Sequence, residues 1–377
     1  MKTKIIANYL PQYHSIPEND LWWGKGYTDW VAVKHSKPLF HGHKQPKIPL
    51  NNNYYDLSTL ESIKFQVDLA NKYGIYGFGI YHYWFSSELH LLDRPAQLIR
   101  ENADVDIHYM FIWDNSSWKR TWSNVDFAND WAPMFDGNLK NQKNGYLAEL
   151  KYGDEVEWRT HFEYLLPFFK DDRYIKIGEK PMFGFFCPDN NSELVQNMVS
   201  FWNKIAPEYG IPGVFCCGRK VDGLGCYMDA DFLYEPHWSG WVQHGSEGRV
   251  NNFIKRLRHK LFNQPMIDNY KKIWEKIISN AKNYADDAVF YSGFVSYDDT
   301  PRRGVKGRVV HGASPMLFEK YFKELLKLSE KTNKEYLFLT AWNEWGEGAY
   351  LEPDEEYGYA YLETIKRVID SSIRDDM

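Results

Sequence analysis

The segment LSTLESIKFQVDLANKYGIYGFGIYHY, Leu57–Tyr83, sets two periodicities back to back. Over Leu57–Tyr73 the apolar residues Leu60, Ile63, Val67 and Ala70 recur at intervals of three and four, which places them on one helical face. Gly74 follows, a residue suited to a helix C-cap. Gly77–Tyr83 is then a short run of Ile, Phe, Tyr and Gly, the composition of a buried strand. The same alternation extends in both directions. Strand-like runs occur at Lys4–Tyr9, Ile107–Trp113, Met182–Cys187, Gly213–Cys217, Asp231–Glu235, Ala288–Val295 and Tyr336–Trp342, and helical patterns at Glu193–Tyr209 and Pro315–Thr332. Eight strands with helices between them predict an α/β fold, a single (β/α)8 TIM barrel spanning residues 1–377 as one catalytic domain. Neither GxGxxG nor GxxxxGK[ST] is present, so no common nucleotide-binding crevice is predicted.

Long connections interrupt the pattern at Asp114–Lys180 and between the sixth and seventh strands, and are read as functional loops or insertions at the C-terminal face. The second contains a helical basic insert at about 248–287. There Phe253, Ile254, Leu257 and Leu261 form an apolar stripe flanked by Lys255, Arg256, Arg258 and Lys260. A solvated helical hairpin accounts for it; the alternative is a surface that contacts an anionic membrane or substrate.

The formal net charge is −6, which argues against nucleic acid as partner. No stretch is long and apolar enough to span a membrane, and the start lacks a signal-peptide core, so a cytoplasmic location is expected, with the inner-membrane surface reachable through the basic insert. Cys187, Cys216, Cys217 and Cys226 form no CxxC pair, so neither a disulfide framework nor a zinc site is expected. Histidines occur at strand ends (His14, His82, His237) and in His41-Gly42-His43, without a metal-binding spacing; no metal or organic cofactor is predicted.

In a barrel, the chemistry sits at the C-terminal ends of the strands. Aromatic residues make up 17% of the chain, including 15 Trp, and they recur at those ends with amides, histidines and carboxylates. Tyr9, His14, Tyr81, Tyr83, Trp84, Trp113, Asn115, Trp118, Glu235, Trp238, Trp342 and Asn343 all fall there. Arg120 and Trp122 follow the third strand. Rings that stack on sugar C–H faces, beside groups that bond hydroxyls, are the profile of a carbohydrate site; capping of the barrel is the competing explanation. Arg302 and Arg303 of DDTPRRG could bind an anionic sugar or pair with Asp298 or Asp299.

The sharpest feature is Glu344-x-x-Glu347 in AWNEWGEGAYLEPD. Glycoside cleavage uses two carboxyl groups, and this pair leaves a buried strand between two Trp and two Gly rather than lying on an exposed helix. Like charges this close push one pKa upward. Glu352 and Asp354 continue the acidic run and cap the helix that follows, with Glu352 near enough to reach the pocket; Asp298 is a further candidate.

At these residues the chain resembles a known family. YLPQYH with WGKGYTDW, YGIYGFGIYHYWF, DDTPRRG and AWNEWGEGAYLEPD resemble the WbsX-like proteins of bacterial surface-polysaccharide loci, which are labelled glycosyltransferases and are similar to glycoside hydrolase family 99, the endo-α-mannosidases and endo-α-mannanases. The resemblance covers residues 4 to 365 and implies a (β/α)8 barrel acting on a polysaccharide or oligosaccharide. It implies Glu347 as general acid and Glu344 as base toward the sugar 2-OH, through a 1,2-anhydro sugar with net retention. The chain departs from the family at Asn115-Ser116-Ser117-Trp118, where the usual run carries a Glu after the first Asn, so the family's sugar preference does not transfer. The expectation is therefore a retaining endo-glycosidase acting on a surface polysaccharide or its precursor. The alternatives are a glycosyltransferase of lipopolysaccharide or capsule biosynthesis and a non-catalytic glycan-binding protein.

Overall fold

Eight parallel strands close into a barrel in the computed structural model, which describes residues 2–119, 146–242 and 261–375. They are β1 (Lys4–Tyr9), β2 (Gly77–Ser86), β3 (His108–Trp113), β4 (Lys180–Phe185), β5 (Phe215–Arg219), β6 (Ala230–Phe232), β7 (Val289–Phe294) and β8 (Tyr336–Thr340). Each pairs with its sequence neighbours, and β1 pairs with both β2 and β8, so no sheet edge remains. This is the predicted (β/α)8 barrel.

The surrounding helices are α1 (Leu60–Tyr73), α2 (Arg94–Glu101), α3 (Glu155–Phe169), α4 (Ser192–Ile205), α5 (Tyr270–Asn283), α6 (Pro315–Lys331) and α7 (Ala360–Asp375). Their starts are capped locally: Thr59, Asp154 and Ser314 accept backbone N–H groups at the heads of α1, α3 and α6. A direct crossing from Arg219 to Ala230 replaces a helix between β5 and β6.

Strand alternation sorts the side chains. Phe232 and Phe290 pack on Phe338 inside the barrel, at ring separations of 5.4 and 6.1 Å. Phe111 packs outward on Phe168 of α3 at 5.0 Å. The basic segment at 248–287 is only partly helical where it is described. Met266–Asn269 is a strand pairing with Arg308–His311, and Tyr270–Asn283 is α5, the barrel's own helix against α6. The pattern was a barrel helix read as part of an insertion. Its apolar stripe Phe253, Ile254 and Leu257 lies outside the described residues, as do Arg120 and Trp122. No helix of the described residues is long and apolar enough to cross a membrane.

Candidate active site

Beyond β8 the chain makes a two-stranded hairpin, Asn343–Glu344 against Ala349–Tyr350, with Trp345–Glu347 as a helical turn at its tip. Two anchors fix it to the barrel. The Asn343 side chain bonds both the N–H and the carbonyl of Leu10, at 2.7 and 2.9 Å. The Tyr13 hydroxyl donates to the Asn343 carbonyl at 2.6 Å and accepts from the Trp345 N–H at 3.1 Å. Gly348 adopts φ +56° where a side chain would meet Asp298, and its carbonyl accepts from Ser296 at 2.5 Å.

Arg302, from the loop after β7, lies at the centre of this turn. Its Nε and Nη2 form a two-pronged pair with Asp29, each at 3.0 Å. The same Nη2 donates to Glu344 at 3.0 Å, and Nη1 donates to Glu347 at 2.9 Å. Asp29 also accepts the Gly346 N–H at 3.1 Å. A methyl group on Gly346 would run into that Asp29 carboxylate and into Arg302 Nε, which would lie 2.5 Å away. One guanidinium thus bridges Glu344 and Glu347.

The charges here do not cancel. Three carboxylates face one arginine, and Glu344 is buried while the Glu347 side chain is 21% exposed. Burial pushes the Glu344 carboxyl up to about 8; Arg302 pulls against this, and Glu347 and Asp29 add to it. Burial therefore favours the protonated form of Glu344 in the free protein. Behind the turn, Glu352 accepts from Tyr55 (2.7 Å), Gln66 (2.8 Å) and the Trp345 indole (2.6 Å), and burial raises it to about 7. It serves as an anchor for Trp345, which stacks on Tyr350 at 3.7 Å.

Of the other predicted residues, Tyr81 and Tyr83 lie on the inner face of β2, where burial raises both hydroxyls and Glu344 adds to the shift. Trp118 packs edge-on against Tyr83 at 5.0 Å. His14 is buried, and burial lowers its pKa despite the pull of Asp56. Trp238 is buried at the start of the turn 238–242.

Several expectations are corrected. Tyr9 turns outward and donates to Gln66 of α1 at 2.6 Å. Trp84 stacks on His161 of α3 at 4.4 Å, and Trp113 packs edge-on against the same ring at 4.9 Å. Trp342 packs on Phe78 at 5.3 Å, which in turn meets Tyr9. All four fill the layer between sheet and helices rather than the mouth. Asn115 is a loop tie, bonding both backbone groups of Cys187 at 2.8 Å. Glu235 is fully buried against Ser239, which also accepts from Asn280 of α5. Arg302 is neutralised internally and is not free for a substrate anion. Asp298 ties loops together through Gln45 and His43, each at 2.7 Å; because His43 Nδ1 accepts from the Leu39 N–H, its Nε2 carries the proton toward Asp298.

Sequence reasoning missed Asp29, Tyr13, Arg219, Tyr234 and Tyr297. Tyr234 sits two residues beyond inward-facing Phe232, within the field of Glu347 and Glu344. Tyr297 is likewise near Glu347. Alternation from the last inward residue of each strand was the signal available for Arg219 and Tyr234. No group of three or more His, Cys, Asp or Glu side chains among the described residues is arranged to hold a metal ion.

A family model described as glycosyltransferase WbsX matches residues 5–365. The protein WxcX of Xanthomonas campestris pv. campestris is 28% identical over 376 residues, covering 97% of this chain and 49% of WxcX. The chain spans about half the length of the curated relatives it matches. Among solved structures, a GH99 endo-α-mannosidase from Bacteroides thetaiotaomicron aligns with TM-score 0.55 and 14% identity over 99% of this chain and 98% of that one. A glycoside hydrolase-like protein aligns with TM-score 0.59 and 13% identity, covering 98% and 94%. At those identities the likeness is one of fold.

Proposed function

The chain belongs to the WbsX glycosyltransferase family, and from that premise we propose that it acts on the glycosidic bonds of a polysaccharide, with Glu344 and Glu347 as its acid–base pair. The observation that carries this reading is the single Arg302 guanidinium bonded to both carboxylates on the turn after β8. The two groups share one proton. Glu347, the more exposed, gives a proton to the departing glycosidic oxygen. Glu344, as carboxylate, takes the proton of the sugar 2-OH, whose oxygen attacks the anomeric carbon and closes a 1,2-anhydro ring. A water then attacks that carbon, passing its proton to Glu347, while O2 recovers its proton from Glu344. Both carboxyl groups return to their starting states, and two inversions give net retention. Burial favours protonated Glu344 before substrate binds, so the mechanism requires the proton on Glu347 in the bound complex.

Tyr81, Tyr83, Trp118, Tyr234 and Tyr297 supply ring faces and hydroxyls for the sugars. The test is a mass-spectrometric cleavage screen with no sugar donor present, on α-mannans and on bacterial surface polysaccharides, comparing wild type with Glu347→Gln. New oligosaccharides from wild type alone support the reading. A glycan turned over equally by both proteins refutes the role of Glu347. The family's description favours a second reading, transfer, in which a sugar hydroxyl replaces water in the last step.

A further inference from the structure

Arg302 is occupied by its three carboxylates, and Arg303 lies 3.3 Å from Asp299. Two other arginines at the same end of the barrel are held differently. Arg219 ends β5 on the inward face, in alternation with Phe215, whose ring meets Phe290 at 6.2 Å. Its Nε donates to the Phe186 carbonyl at 2.6 Å, and its guanidinium lies 4.8 Å from the centre of the Phe186 ring. One edge of the fork is thereby fixed, and no carboxylate forms an ion pair with it among the described residues. Arg308, from the short strand after β7, lies over Trp241 at 5.0 Å; its backbone N–H donates to the Asp299 carboxylate and its guanidinium pairs with the buried Asp268 at 3.5 Å.

His237, which follows β6, stands between them. Its ring is edge-on to Trp241 at 5.5 Å and lies 6.5 Å from Tyr234. Burial lowers its pKa to about 4, and the charges that act on it are Arg219 and Arg308, both opposing protonation. Asp114, on the β3 side, is buried and accepts from Ser116 at 2.7 Å; burial raises it to about 6, and the charge of Arg219 pulls against this without forming an ion pair. Trp241 packs on Tyr297 at 4.8 Å, and Tyr297 is within the field of Glu347. Three loops thus bring two guanidinium groups and an imidazole together at the rim beside the carboxylate pair.

We propose that Arg219, His237 and Arg308 form an anion-binding subsite next to Glu347, and that the saccharide carries a negative group there, either a uronate carboxylate or a sugar phosphate. A guanidinium fork matches both in geometry and charge. Arg308 is already paired with Asp268, so the unmet charge is that of Arg219, which a neutral glycan would leave without an ion-pair partner among the described residues. This deepens the proposed function, on which it rests only in taking the ligand to be a saccharide.

The test is calorimetry on the whole chain at low salt with glucuronate, glucose 1-phosphate and glucose. One anion at least should bind roughly tenfold more tightly than glucose, the scale of one charge-assisted hydrogen bond. Preference between the two anions identifies the source of the charge. Arg219→Gln and Arg308→Gln should each weaken anion binding by a similar factor, whereas Arg303→Gln should not. The inference is overturned if neither anion binds at about 10 mM, a level that detects even millimolar affinity, if glucose binds equally well, or if both Gln variants bind as wild type does. The wild-type comparison with glucose does not depend on any variant folding. A wild type that cleaves a glycan yet ignores both anions defeats this inference and leaves the proposed function standing. Anion binding without cleavage of any glycan does the reverse.

Discussion

Raising the pH through 8 should switch the enzyme off, because the acid–base pair works with one proton and that proton is lost near there. Burial pushes Glu344 to about 8, against the pull of Arg302. The value of kcat/KM follows ionisations of the free enzyme, so it should fall to half at about pH 8 and to about a tenth at about pH 9. The two singly protonated forms, with the proton on Glu344 or on Glu347, have the same proton count and the same profile. Variants separate the roles. Glu347→Gln removes a like charge that raises Glu344, so the remaining carboxyl should titrate lower, and a drop of one unit corresponds to about 1.4 kcal/mol. On a natural glycan, loss of the general acid should cost about 10²–10⁴ in rate. On a glycosyl fluoride, whose leaving group departs without a proton, that loss should shrink below about tenfold, while Glu344→Gln should stay impaired on both substrates. The assay is initial rates from pH 5 to pH 10. An upper limb well below pH 7, or equal behaviour of the two variants on the fluoride, would refute the reasoning.

Other consequences follow from the same contacts. Asp29→Ala removes the carboxylate that holds Arg302 at two points but leaves Arg302 bonded to Glu344 and Glu347, and should lower stability by about 1–3 kcal/mol, the cost of the lost charge-assisted hydrogen bonds and an unpaired Gly346 N–H, read by urea unfolding; an unchanged midpoint contradicts this. Gly346→Ala drives a methyl group into Asp29 and Arg302, and should cost about 1–3 kcal/mol of strain while also lowering kcat, measured by melting and initial rates. Stability should also fall between pH 7 and 8.5. Glu235 and Glu344, both raised to about 8, keep protons in the folded state that the unfolded chain releases near pH 4.3, so their contribution is complete at low pH and is lost as pH rises through 8. The slope should approach ~1.4 kcal/mol per pH unit for each group in its range. The buried His82 and half-buried His237, lowered to about 4, cost stability only below their unfolded value near 6.5 and do not interfere in that window. A protein more stable at pH 8.5 than at pH 7 would sink this prediction.

The barrel was legible because each of its strands is a short, mostly apolar run, and burial on both faces leaves that mark in sequence. The limits are as clear. Strand ends were visible, but the face was not chosen at each: Tyr9, Trp84 and Trp113 are one residue out of step with the inward positions Asn8, Tyr83 and Ile112. Indole and phenol rings suit both a sugar site and the layer under a helix, so residue type alone could not divide them. The turn proposed as catalytic was readable because its two carboxylates are local, three residues apart. Its counter-charge was not, since Asp29 and Arg302 are 273 positions apart and meet only through barrel closure. Neither a substrate anion nor Asp298 or Asp299, the partners its sequence suggested, is what Arg302 meets, and the proposed anion-facing role falls to Arg219, which alternation places inward, with Arg308.

Hydrolysis and transfer share every step up to the 1,2-anhydro sugar. In the proposed mechanism the carboxylate pair, its arginine clamp and the single shared proton would serve both, and what separates them is which hydroxyl reaches the anomeric carbon. A barrel like that of glycoside hydrolases and a family described by transfer are therefore compatible on one set of residues. If the intermediate forms first, adding an acceptor oligosaccharide should divert product from hydrolysis to chain extension. The ratio of the two should rise linearly with acceptor concentration, while the rate of donor-glycan loss stays constant so long as ring closure is slow. Product lengths from mass spectrometry and donor loss from the same samples give both quantities. A rate of donor loss that climbs with acceptor would mean direct attack by the acceptor. An absolute requirement for a nucleotide sugar would mean that Glu344 and Glu347 do other work.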